Sequence, residues 1–161
     1  MSETLGSLVD KLTIKDIREF HLLEMLATKD KKFCRPELEN KLRLLRRQKQ
    51  DLISEIDAFL ASAVKGKIRL RDDKLKLYNA PEDMGRIFST DSIGKAMSAL
   101  AQKNLELWHL EDEARRKDVS LSYIGKIKGK IDLANQQRND LIDRIDELFE
   151  KKVKEISKKN K

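Results

Sequence analysis

The chain contains itself twice. Residues 5–30 laid over 93–118, at an offset of 88, match Gly6, Leu12, Lys15, His21, Leu22, Lys29 and Asp30 with Gly94, Leu100, Lys103, His109, Leu110, Lys117 and Asp118. At an offset of 89, residues 41–57 laid over 130–146 match Lys41, Leu44, Gln48, Asp51, Leu52, Ile53, Ile56 and Asp57 with Lys130, Leu133, Gln137, Asp140, Leu141, Ile142, Ile145 and Asp146. Internal repetition sets architecture before any local propensity does. It demands two similar units facing one another, and it pairs the only two histidines.

Each unit reads as a helical hairpin. In the second helix of the first unit, Leu38, Leu42, Leu45, Lys49, Leu52, Ile56 and Phe59 recur at alternating steps of four and three. Ile127, Ile131, Ala134, Arg138, Leu141, Ile145 and Leu148 do the same in the second unit. That period calls for coiled-coil-like packing of long helices. Helices are expected over about 4–31, 36–64, from the capping cluster Ser89-Thr90-Asp91-Ser92 to about 117, and from Ser120 or Ser122 until the lysine tail. Pro36 suits a first helical turn and Gly66 a helix stop. One hairpin leaves its apolar stripe wet, and two bury it. The expected fold is therefore all-α: duplicated hairpins forming a four-helix bundle. The expected organisation is a single domain over 1–161, with repeats at about 4–64 and 91–150, a connector at 65–90 and a basic tail at 151–161. Within the connector, KIRLRDDKLKLY (67–78) alternates apolar and basic residues around a turn-forming RDDK, which predicts a short β-hairpin.

Charge is uneven. The formal net charge is +7, yet residues 1–64 carry only +1 and 91–150 carry −2, while the connector holds +3 and the last eleven residues +5. The excess is either a solvated tail or a handle for phosphate or an anionic surface. Nucleic-acid binding through connector and tail ranks last among the functional readings. The single cysteine, Cys34, excludes an internal disulfide. No apolar run approaches a membrane span, and MSETLGSLVDK lacks the marks of a signal peptide. A cytoplasmic protein is expected.

Two constellations can carry chemistry. His21 and Glu24 sit three apart, as do His109 and Asp112 at the matching positions, so each pair shares a helix face. Together they offer two imidazoles and two carboxylates, a donor set adequate for a divalent metal such as zinc, manganese or iron. Known di-iron bundles use the reverse order, Glu-x-x-His. The alternatives are histidines that orient helices, or an acid–base pair. The second constellation sets Lys49 and Asp51 against Arg138 and Asp140, with Asn135 and Asn139 beside Arg138. It is either a polar network fixing helix register or the lining of a cleft for an anionic sugar or nucleotide phosphate, with Lys49 and Arg138 as clamps. Phe20 and Trp108, one before each histidine, are expected in the core. No Walker, CxxC, GxSxG or HExxH motif occurs, so no cofactor is predicted beyond a metal.

TLGSLVDKLTIKDIREFHLLE (4–24), LELWHLEDEARR (105–116) and KIDLANQQRNDLIDRIDE (130–147) resemble uncharacterised bacterial all-helical families of unknown function. Those families are often encoded near surface-polysaccharide glycosyltransferases. The resemblance touches Trp108, His109, Glu111, Asp112, Asn135, Arg138, Asn139 and Asp140. The resemblance implies a soluble helical protein, an accessory to glycan assembly, and carries over no catalytic residue. The leading expectation is thus a protein-interaction or accessory module, a homodimer or bound to another protein. The alternative is an enzyme or binding protein for a sugar or nucleotide phosphate.

Overall fold

The computed structural model describes residues 3–28, 34–71 and 90–159. They form four helices: α1 (Leu5–Ala27), α2 (Arg35–Val64), α3 (Ile93–Ala114) and α4 (Leu121–Lys159). The repeat offset reappears in the caps. Thr4 caps α1 by accepting from the Ser7 N–H, and Ser92, at an offset of 88, caps α3 by accepting from the Lys95 N–H. Thr4 adds a reciprocal bond, its own N–H donating to Ser7 Oγ at 2.9 Å, which satisfies a second free donor of the helix start. Gly66 stops α2 with a φ of 65°. The Gly66 N–H bonds Ala63 O and the Lys67 N–H bonds Ser62 O, the paired closure that a left-handed residue permits.

Three boundaries differ from expectation. α1 ends at Ala27 and α3 at Ala114, each earlier than the apolar pattern suggested. α4 does not fade at the tail but continues to Lys159, supported by Lys154–Glu150 and Lys152–Glu155 pairs one turn apart. The β-hairpin is not seen. Residues 67–71 form no strand, and the rest of that segment, with the loop to 89, lies outside the described residues. Arg69 Nε donates to Arg71 O at 3.0 Å, and Arg71 pairs with Glu147 of α4 at 3.2 Å.

The apolar positions of the α4 seam are all buried, and those of the α2 seam are buried except Ile56 and Phe59, which are partly buried. Leu38, Leu42, Leu45 and Leu52 of α2 are each under 9% exposed, and so are Ile127, Ile131, Ala134, Leu141, Ile145 and Leu148 of α4. α1 packs against all three other helices, and α3 packs against α4. No comparable packing joins α2 to α3 among the described residues. α2 reaches α4 near its C-terminal end, where the Phe59 and Phe149 rings stand 6.1 Å apart. The main core gathers Leu5, Ala96, Leu100, Leu141, Ile142, Ile145 and Leu148 from α1, α3 and α4.

The join between the halves is a close approach. The Gly6 N–H donates to Asp146 Oδ1 at 2.7 Å, inside the core. A Cβ at Gly6 would overlap the Ile142 carbonyl oxygen. Only glycine lets the first turn of α1 meet the backbone of α4, and the buried Asp146 carboxylate sits at the positive end of α1. Gly6→Ala is therefore expected to destabilise the protein by about 1–3 kcal/mol, the usual cost of overpacking. Gly129→Ala, at an exposed helical position with open space around a Cβ, should instead gain up to about 1 kcal/mol of helix propensity. Urea denaturation of the two variants checks both signs.

Candidate functional site

The two histidines do meet. α1 and α3 cross so that the His21 and His109 rings stand 6.3 Å apart and nearly perpendicular. His21 lies flat on Trp108, with centroids 4.7 Å apart and planes 7° from parallel. Its Nδ1 is 2.9 Å from Glu24 Oε2, while its Nε2 is buried without a hydrogen-bond partner. The second pair is not a copy of the first. His109 is exposed, and Asp112 is bound by Arg115 at 3.1 Å. Among the described residues, no three His, Cys, Asp or Glu side chains are grouped to hold a metal ion. Nor is Phe20 in the core: it is 58% exposed, its edge toward His21. Trp108 is half-buried.

The seam cations are both paired, but with different helices. Lys49 Nζ lies 2.6 Å from Asp16 and 3.0 Å from Glu19, both on α1. Glu19 also accepts from Arg46 Nε at 2.7 Å. In the second half the position matching Asp16 is Asn104, which offers no charge. Arg138 takes its acid from across the join instead: Asp10 of α1 lies 3.5 Å from its Nε. That atom is buried and makes no hydrogen bond. Asn104 Nδ2 donates to Asp10 Oδ1 at 2.9 Å and to Thr13 Oγ1 at 2.7 Å. Asn104 thus ties α3 to α1 by two hydrogen bonds, and the Asp10–Arg138 ion pair ties α4 to the same point of α1, inside the fold. Asp140 is buried, Asn135 half-buried and Asn139 exposed along α4. Asp51 is exposed on α2 beside Lys11, Lys15 and Arg18. The histidine pair and the Arg138 network are therefore separate sites.

Sequence reasoning missed Asp10, Asn104, Asp16 and Glu19. The repeat offered a signal for one of them, since Asp16 and Asn104 are matching positions whose charge differs. It also missed a groove. Where α2 stands off from α3, a cavity of about 350 Å³ opens between α1 and α2. Leu22, Met25, Leu44, Leu45, His21 and Trp108 line it, with Arg18, Lys41 and Gln48. Lys15 Nζ donates to Gln48 Oε1 at 3.0 Å, and Lys41 pairs with Glu37 at 2.5 Å. Arg18 has no ion-pair partner among the described residues.

The fold and site define a duplicated helical-bundle protein with an apolar groove edged by cations. No helix among the described residues is long and apolar enough to cross a membrane. The chain belongs to the family described as Protein of unknown function (DUF4254), whose model matches residues 1–71 and 95–161. No curated protein and no solved structure matches it.

Hydrogen bonds from Arg46 and then Lys49 hold the Glu19 carboxyl below the usual carboxylate range. Asp16 and then Glu19 hold the Lys49 ammonium above the usual lysine range. A carboxyl depressed in the folded state stabilises above its unfolded value and loses that contribution as pH falls through the folded value. The melting temperature of the wild type should therefore drop as pH falls below about 4. In Glu19→Gln that acid-side slope should be shallower, as thermal melts between neutral pH and the acid limb would reveal.

Proposed function

We propose that this protein is an interaction module whose α1–α2 groove takes an acidic amphipathic helix from a partner protein. The groove itself carries the reading. Its floor is leucine, methionine and the His21–Trp108 stack, and Leu44 on its wall is 58% exposed. A leucine left that open gains by being covered, worth roughly 1.5–3 kcal/mol when fully buried. Helix-in-groove recognition uses such a surface, with apolar anchors seated between two helices. Arg18 and Lys41 at its edge favour acidic side chains flanking those anchors. The lone Cys34 suits a reducing compartment such as the cytoplasm, and an accessory role in surface-glycan assembly is the setting implied by the family resemblance.

A second reading rests on one atom. His21 lines the groove, and its Nε2 is buried and unpartnered. Such an atom is satisfied when a ligand brings the complementary group. A sugar or nucleotide phosphate would place its anion near Arg18 and Lys41.

A photo-crosslinking residue at position 44, read by mass spectrometry in producing cells, separates these readings. Position 133, its exposed repeat counterpart outside the groove, is the control. The interaction reading expects one dominant protein adduct at 44 that is absent at 133 and lost with Arg18→Glu. Equal labelling at both positions, or none, contradicts it. Trp108 is the only tryptophan, so titrating inorganic phosphate and a sugar nucleotide against its fluorescence tests the second reading. Saturable quenching that His21→Ala removes supports a small ligand, and a flat response excludes these two.

A further inference from the structure

The residues by which α1 docks on α4 recur at their repeat positions, and among the described residues only one set is in contact. In that set, Gly6 lies buried against Ile142 and its N–H reaches Asp146. The repeat counterparts are Gly94 on α3, and Ile53 and Asp57 on α2. All three are identical residues, yet they stand apart. Gly94 is exposed, and a Cβ there would meet nothing nearer than its own cap, Ser92 Oγ at 3.9 Å. Asp57 is exposed and Ile53 half-exposed.

Core packing does not explain why an exposed glycine and an exposed aspartate match their buried counterparts. The Gly94 N–H is one of the free donors of a helix start, as the Gly6 N–H would be without Asp146. Gly94 shares its helix face with Ser98 and Leu105, at steps of four and seven. Both are exposed, Leu105 by 42%. On α1 the same face, Gly6, Asp10 and Thr13, makes the contacts with α4 and α3 described above. Among the described residues α2 packs on α1 and does not receive α3.

We propose that a second copy of this chain completes the contact, with α3 of each protomer docking on the Ile53–Asp57 face of α2 in the other. The two complementary surfaces sit on one chain, so a twofold pair satisfies both at once and makes each contact twice. Asp57 then accepts from the Gly94 N–H of the partner as Asp146 accepts from Gly6. The glycine permits the same close backbone approach. This surface is distinct from the floor of the α1–α2 groove, and it stands whether or not the groove binds a helix.

Sedimentation velocity of the full chain at tens of micromolar tests the idea, together with Gly94→Leu and Asp57→Arg. Both substitutions are at exposed positions and should leave helical content and melting of the protomer intact. The expected result is a dimer for the wild type and at least a tenfold weaker association for each variant. In a Cys34→Ser background, mixing Gly94→Cys chains with Asp57→Cys chains should yield a disulfide between the two. A wild type that stays monomeric overturns the proposal, and so does a dimer indifferent to both substitutions. A Gly94→Cys/Asp57→Cys double variant that closes its disulfide within one chain would also overturn it, by showing that α2 receives α3 in cis.

Discussion

The join between the two halves turns on the first turn of α1, set directly on the backbone of α4. It requires a residue without a side chain at position 6 and an acceptor for an amide that the helix itself cannot satisfy. Asp146 supplies the acceptor, and it does so as a buried carboxylate facing the positive end of a helix. A carboxylate inside a core is tolerable only when it is bonded in this way. Leu5, beside this contact, joins the core with Leu141, Ile142 and Ile145 and is 3% exposed. α1 thereby becomes the central helix, and α2 becomes peripheral.

That centrality breaks the symmetry the duplication would otherwise impose. In the first hairpin the seam cation Lys49 is neutralised locally, by Asp16 and Glu19 on the adjacent helix. In the second, Asn104 stands where an acid would be needed, and Arg138 turns to Asp10 across the join. The second hairpin is thus tied to α1 by charge as well as by packing, while the first keeps its ion pairs to itself. α2 has no such reason to close on α3. The groove with the His21–Trp108 stack lies where that closure is missing.

Much of the fold could be read from residue order alone, because period and capping are local. The seams of α2 and α4 follow from leucine and isoleucine spacing, and every apolar member of the α4 seam is buried. Thr4, Ser92, Pro36 and Gly66 mark helix ends by their own stereochemistry. What local pattern cannot carry is which helix a polar side chain faces. Lys49 and Arg138 occupy matching positions but meet acids from different places, and nothing in the local pattern around Asp10 shows that α3 and α4 close over it. The repeat puts His21 and His109 at matching positions, but neither the approach of their rings nor the pairing of Asp112 with Arg115 follows from it. The expected β-hairpin is not seen over 67–71, since alternation measures one face of a strand and says nothing of a partner strand.

If the docking of α1 on α4 organises the fold, the Gly6 amide should behave unlike any other amide in the first turn of a helix. Such amides ordinarily exchange quickly, since they lack a partner within the helix. Native-state hydrogen exchange followed by NMR reads this one proton directly. The account predicts protection of the Gly6 N–H comparable to that of mid-helix amides around Leu141 and Ile145, and opening only with global unfolding. Exchange at the rate of a frayed terminus, with Leu141 and Ile145 still protected, would contradict it.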